Sequence, residues 1–283
     1  MSVAGLRKPY PGNLAVVGAG PCAVSGQRSV LLSATRVEKV YGKGGPDSVR
    51  ALDEVNVTLS DGEFVSVVGP SGCGKSTLMK LIAGLYPPSG GTINYRGQDV
   101  KKPQRGMGIV FQTPVLLPWL TILENVLLPI RVLKSDKAAA TERGMKLLEM
   151  VGLAGFQNKY PSALSGGMQQ RAAIVRSLIH DPSLLLMDEP FGALDALTRE
   201  RMTVELQRIW LMNKKTVFFI THSILESVFL SDRVIVMSAR PGRIIKEFEI
   251  PFARPRDFRL TTEAEFGAYV AEIRQLLGTT NDG

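Results

Sequence analysis

The residues with the clearest chemistry are Gly69-Pro70-Ser71-Gly72-Cys73-Gly74-Lys75-Ser76-Thr77, which fit the spacing G-x-x-x-x-G-K-[ST]. Glycines at these positions let successive backbone N–H groups point inward at a phosphate. A helix opening directly after them adds partial positive charge at its N-terminus. Lys75 then reaches the β- and γ-phosphates, and the Ser76 hydroxyl ligates Mg²⁺. A second stretch, Leu184-Leu185-Leu186-Met187-Asp188-Glu189, is an apolar strand ending in two carboxylates. Asp188 suits Mg²⁺, often through water. Glu189, one residue on, is free to act as general base on an attacking water. A third stretch is Leu164-Ser165-Gly166-Gly167-Met168-Gln169-Gln170-Arg171. Ser165 reads as an N-cap, and Gly166-Gly167 as exposed N–H groups opening a helix. Two phosphate sites of unlike construction suggest one nucleotide shared between two protomers.

The elements that must carry these residues follow from the apolar pattern. Leu32 to Leu59 alternates, with Val37, Val40, Val55, Val57 and Leu59 on short antiparallel strands. Asp61-Gly62 is a turn. Phe64 to Val68 is continuously apolar, as in a strand buried on both faces. A helix is expected from Ser76 to about Leu85, stopped by Pro87-Pro88-Ser89-Gly90-Gly91. Strands near Thr92–Tyr95 and Gly108–Phe111 precede a mostly helical block over about 113–180. Strand Leu184–Met187, a helix over about 197–212, strand Thr216–Ile220, a short helix over 223–230 and strand Val234–Met237 come next. Strands alternating with helices imply a largely parallel sheet. The segment after 251 is basic and ends in a helix near 263–277. Residues 1–30 lack either periodicity and read as a disordered leader.

The chain has 283 residues, enough for one large domain or two small ones and for a substantial core. An apolar fraction of 45% and a charged fraction of 21% exclude wholesale disorder. Lys and Arg number 34 against 26 Asp and Glu, a net charge of +8 that suits an anionic partner such as a nucleotide, nucleic acid or anionic membrane face. No uninterrupted apolar run of about 18 residues occurs, so no membrane span is expected. The two cysteines, Cys22 and Cys73, form no disulfide framework and fit a reducing compartment. With two histidines equally scattered, a zinc cluster is not indicated.

Taken together, the motifs resemble the nucleotide-binding subunit of an ATP-binding cassette (ABC) transporter. Leu164–Met168 matches the signature motif that separates that family from other P-loop ATPases, and the resemblance covers about residues 32–250. It implies an α/β P-loop NTPase with a RecA-like core, an antiparallel β subdomain and an inserted α-helical lobe. The expected division is a disordered leader (1–30), an ABC ATPase domain (31–250, with the lobe at about 113–180) and a C-terminal basic segment and helix (251–283). It also implies ATP and Mg²⁺ as ligands. Gln112 resembles the Q-loop glutamine, which contacts Mg²⁺ and the attacking water and reports nucleotide state to the membrane subunits. His222 resembles the switch histidine at the γ-phosphate. Ala193-Leu194-Asp195 resembles the D-loop at the dimer interface, and Tyr41 the aromatic that stacks on adenine. Lys75, Glu189, Gln112 and His222 are thus the expected catalytic set. Ser76, Gln112 and Asp188 are the expected metal set. The nucleotide is expected to touch Tyr41, Gly69 through Thr77, Gln112, His222, and, from a second copy, Ser165, Gly166, Gly167 and Asp195.

A finer resemblance is to importers of the nitrate, sulfonate and taurine group. It rests on Pro190–Arg199, Thr221–Arg233, Ser238-Ala239-Arg240-Pro241-Gly242-Arg243 and Leu117-Pro118-Trp119-Leu120. The implied partners are transmembrane permease subunits, a second nucleotide-binding subunit as a homodimer and, indirectly, a solute-binding protein. The implied location is the cytoplasmic face of the inner membrane, as a peripheral subunit. Trp119 and its neighbours after Gln112 are expected to line the groove that receives a permease helix. The alternatives are an importer cassette for another substrate class and an ABC ATPase acting on nucleic acid or ribosomes. The charge of +8 permits the latter, but the sequence shows no long coiled coil, zinc module or second cassette. Nucleic acid is therefore not an expected partner. Cys73, near Lys75 and a helix N-terminus, is expected to be a reactive thiol whose alkylation inhibits the ATPase.

Overall fold

A computed structural model of the chain describes residues 29–42, 48–192 and 194–279. The leader lies outside the described residues as far as position 28, as does Ala193. Val30, which the sequence reading assigned to the leader, is the first residue of a strand. The alternation between Leu32 and Leu59 folds as two long strands, β1 (Val30–Tyr41) and β2 (Val49–Ser60), paired antiparallel. Next come β3 (Phe64–Val68) and α1 (Lys75–Ile82). The strands β4 (Gly90–Tyr95), β5 (Gln98–Asp99) and β6 (Met107–Val110) complete the first half. Helix α1 ends three residues before the expected Leu85, because the Leu85 N–H donates back to the Lys80 carbonyl (3.0 Å) and Gly84 adopts φ +70°. That is the glycine-terminated helix end.

The helical lobe contains α2 (Ile122–Val126), α3 (Leu128–Leu133), α4 (Lys137–Met150) and α5 (Gly166–Leu178). Its start is later than position 113. Residues 111–121 form an irregular loop pinned by buried Asn125, whose amide donates to the carbonyls of Leu117, Leu120 and Thr121. Thr121 and Glu124 then cap α2 reciprocally, which is why the helix begins there. Strands and helices alternate afterwards: β7 (Leu184–Asp188), α6 (Ala196–Asn213), β8 (Thr216–Ile220), α7 (Ile224–Leu230) and β9 (Arg233–Met237). Strand β10 (Ile244–Glu249) and helix α8 (Ala264–Thr279) close the described chain.

Two sheets result. One is antiparallel, in the order β2-β1-β4-β5. The other runs β10-β9-β3-β8-β7-β6, parallel throughout except for the edge pair β9/β10. Its central strands are buried on both faces, and the period of two decides which layer each side chain joins. Val65, Val67, Phe218 and Ile220 pack with Leu78, Leu81 and Ile82 of α1 and with Leu32, Leu52 and Leu59 of the antiparallel sheet. Phe64, Val68, Val217 and Phe219 point the other way, into a core with Met187, Trp210, Phe229 and Ile273. Each fully buried side chain of this size contributes about 1.5–3 kcal/mol, so the strand ends between the two layers are rigid platforms.

The C-terminal segment is part of this second layer rather than a basic appendage. Helix α8 packs on α7 and β9. Arg254 pairs with Asp232 and lies 4.4 Å over the Trp210 ring. Arg256 is buried, and its guanidinium donates to the carbonyls of Val228, Phe229, Ser231, Ile250 and Phe252. Three of these belong to the C-terminal end of α7, where a cation is favoured by the helix dipole. Burial, with Arg254 alongside, pulls the Arg256 pKa down to about 9, so it stays charged at neutral pH.

Candidate nucleotide-binding site

Strand β3 stops at Val68, and the glycine-rich loop carries the chain directly into α1, whose N-cap is Gly74 with no side-chain cap. The first-turn N–H groups of α1 therefore have no side-chain acceptor of their own. Lys75 is 4% exposed, and its Nζ donates to the carbonyls of Gly69 (2.8 Å) and Pro70 (2.9 Å). Cys73 is fully buried, with Sγ 3.7 Å from Lys75 Nζ. That corrects the expectation of a reactive thiol, since a reagent cannot reach a sulfur sealed inside the core.

The carboxylates arrive from β7. The Ser76 hydroxyl donates to Asp188 Oδ1 at 2.9 Å, joining the helix start to the strand end. Glu189 follows in the left-handed region, φ +45°, an uncommon conformation for a side chain of this kind. Its N–H is held by the Ile220 carbonyl of β8 at 2.9 Å. Both carboxylate oxygens of Glu189 are engaged. Oε1 is 2.7 Å from His222 Nε2, and Oε2 accepts from Gln112 Nε2 at 3.3 Å. Three residues from three strand ends thus converge, as the motif order led one to expect.

Tyr41, the last residue of β1, is 39% exposed, and its hydroxyl donates to Thr77 Oγ1 at 3.4 Å. A cleft of about 270 Å³ is lined by Tyr41, Val49 and Ala51 of the antiparallel sheet, by Ser71, Gly72 and Gly74 through Thr77, and by Glu189 and His222. Gly69, Pro70 and Cys73 do not line it. The first two supply the carbonyls that hold Lys75. Asp188 and Gln112 reach it only through Ser76 and Glu189.

Ser165, Gly166, Gly167 and Asp195 do not join this cleft. They line a separate depression of about 870 Å³. Ser165 caps α5, accepting from the Met168 N–H at 3.4 Å, as expected of it. Asp195 caps α6, accepting from the Thr198 N–H at 3.0 Å, and the Thr198 side chain and backbone hold its carboxyl below the ordinary value. The residues expected around one nucleotide are therefore split between two surfaces of the chain.

Trp119 is 68% exposed, yet the apolar groove of about 550 Å³ in this region is lined by Val115, Leu117, Leu128, Val132 and Leu133 instead. Sequence reasoning missed two groups. Val49, Ala51 and Arg240 line the cleft. Arg199 and buried Glu226 connect the helices on either side of β8, with Arg199 Nε 3.6 Å from Glu226 Oε1. Glu226 also accepts from the Thr221 hydroxyl at 2.6 Å, one residue before His222. Burial pushes the Glu226 carboxyl up, against that hydrogen bond and Arg199. Arg199, Thr221, Glu226 and Arg240 lay in stretches singled out from the sequence, but nothing in those stretches indicated these roles.

Known proteins resemble this chain over most of its length. The profile of the ABC transporter family matches residues 52–192. The taurine import ATP-binding protein of Rhizobium johnstonii is 45% identical over 247 residues, covering 86% of this chain and 93% of that protein. The aliphatic sulfonates import ATP-binding protein of Bacillus thuringiensis is 44% identical over 228 residues, covering 81% and 89%. Among solved structures, a dimeric post-hydrolysis state of an ATP-binding cassette bound to ADP and Pi superposes with a TM-score of 0.68 at 34% identity, covering 78% of this chain and 100% of that one. The chain belongs to the ABC transporter family, as one of its ATP-binding cassettes.

Proposed function

We propose that this chain is the ATP-hydrolysing subunit of a membrane importer whose cargo is a small anion of the sulfonate or taurine type. The observation that carries the ATPase is the cleft itself, where Glu189, Gln112 and His222 meet the loop from Gly69 to Thr77. The names of the curated relatives support the cargo class. Lys75 exchanges its loop carbonyls for phosphate oxygens, and the loop N–H groups orient the triphosphate. The Ser76 hydroxyl and Asp188 carboxylate are hard oxygen donors brought to 2.9 Å, a pair that fits Mg²⁺, which when bound supplies charge neutralisation at the phosphates. Glu189 takes the proton of the attacking water, and Gln112 and His222 position that water at the γ-phosphorus. Tyr41 stacks on the base.

The second surface, with Ser165, Gly167 and Asp195, completes the site of another copy, in a head-to-tail homodimer. Closure of the pair excludes water from the triphosphate. Among the described residues no helix is long and apolar enough to cross a membrane. In the proposed complex this chain lies at the cytoplasmic face of the inner membrane, the span belongs to permease subunits, and the groove of Val115, Leu117 and Val132 receives one of their helices. A solute-binding protein delivers the cargo to them. The test is a pull-down of the tagged chain from gently solubilised membranes. Recovery of a multi-span permease, with an associated binding protein that retains taurine or an alkanesulfonate, is expected. Recovery of ribosomes or DNA-bound factors alone overturns the importer.

A further inference from the structure

The cleft contains a cation that none of the motifs places there. Arg240 lines it from the turn between β9 and β10, far in sequence from the phosphate loop it faces. That turn is clamped at its base. The Ser238 N–H donates to the Arg243 carbonyl, and the Arg243 N–H to Ser238 Oγ, both at 2.9 Å. The Gly242 N–H donates to the Ala51 carbonyl (3.0 Å), and the Asp53 N–H to the Gly242 carbonyl (3.1 Å). Arg243 pairs with Asp53, which also holds Arg50. Gly242 is so close to the phosphate loop that a Cβ on it would lie 2.0 Å from the Cys73 carbonyl oxygen. Only glycine permits that approach.

Arg240 sits at the tip of this braced turn, exposed, with a single long bond from Nη2 to the Gly72 carbonyl at 3.4 Å. Arg50 and Arg243 nearby share the Asp53 carboxylate, and Lys75 is turned onto Gly69 and Pro70. Among the described residues Arg240 has no carboxylate partner. We infer that Arg240 is a second phosphate contact of this site, exchanging its bond to Gly72 for a phosphate oxygen of the bound nucleoside triphosphate. The inference rests on the cleft being the nucleotide site. A guanidinium presents a planar fork of donors to a phosphate, and such charge-assisted bonds are about twice as strong as neutral ones. A bond at 3.4 Å to a neutral carbonyl is weak and readily given up. The clamped turn keeps the ordering cost of the exchange small.

The test is equilibrium binding of ATP, ADP and adenosine to the full chain without Mg²⁺, comparing wild type with Arg240→Ala and Arg240→Lys. Arg240→Ala is expected to weaken ATP about tenfold, with adenosine unchanged and ADP affected no more than ATP. Arg240→Lys, which keeps the charge but not the fork, should lose less. Thermal midpoints report whether either variant folds differently, and Arg240→Lys serves if the alanine variant does not fold. Equal losses for adenosine and ATP would make Arg240 a brace of the loop and overturn the inference, as would no loss for ATP. A wild-type chain that binds no ATP overturns the nucleotide site itself, which is a distinct result.

Discussion

Among the described residues two helices begin at glycines, and they begin differently. Helix α1 has Gly74 at its N-cap and no side chain closing its first turn. Its start is surrounded by a buried lysine, a serine bonded to Asp188, and the Glu189 cluster. Helix α5 is closed by its own Ser165, and beside it stand Gly166, Gly167 and the Asp195 cap of α6, with neither a catalytic carboxylate pair nor a histidine lining the same surface. One helix start gathers the glycine-rich loop, Lys75, Glu189 and His222 in one cleft. The other is an anion-ready end with none of these residues beside it. In the proposed homodimer the two are halves of one device, divided between copies.

The sharpest way to break this comparison is at Glu189. Glu189→Gln keeps size and hydrogen bonding but cannot take a proton, so phosphate release should fall by about 10²–10⁴-fold while ATP binding persists. Near-normal turnover would remove Glu189 from the base role. The next test mixes subunits. Glu189→Gln and Ser165→Arg should each be inactive alone. In an equal mixture half the dimers pair one of each, and each such dimer holds one intact composite site, so about a quarter of wild-type turnover should return. No recovery would mean that α5 does not serve a neighbouring copy.

A smaller effect is expected where a helix end is closed by a remote side chain. Arg256→Met strands the carbonyls at the end of α7 that Arg256 now satisfies, and should cost about 3 kcal/mol in urea unfolding while leaving ATP affinity in the folded fraction unchanged. The smallest effect concerns Glu226. Its folded-state pKa is raised by burial, so its contribution to stability is fully present below its unfolded value and is lost as pH rises through the folded one. The thermal midpoint of wild type relative to Glu226→Gln should therefore decline as pH rises from about 4 toward neutrality. A midpoint difference that grows in wild type's favour over that range would show that Arg199 outweighs burial.

The parts of this molecule that were legible in the sequence are those where local pattern and function coincide. Phe64–Val68 reads as a doubly buried strand because it is one, and the loop after it must be glycine-rich for the backbone to face a phosphate. Ser165 announces its helix by the same capping chemistry that the structure shows. What was not legible depends on where the fold returns. Strand β10 is an edge strand with charged residues on its open face and only Phe248 buried, so it carries no strong alternation of apolar residues. Arg240 reaches the cleft because a clamped turn folds back on the loop from a point more than a hundred residues on in sequence. Arg256 read only as part of a basic segment because a sequence does not say which arginine is surrounded by carbonyls. Trp119 was expected to line the permease groove, but it stands exposed beside a groove built by residues from the irregular loop and α3.

The grip on Glu189 also bears on fuel economy. With one oxygen at His222 and the other at Gln112, the Glu189 carboxylate is steadied from both sides and keeps a further lone pair on each oxygen for a water. Those two partners follow β6 and β8, so the aim of the carboxylate is tied to two strand ends at once. In the proposed ATPase, whatever moves Gln112 or His222 re-aims the base and so sets the throttle.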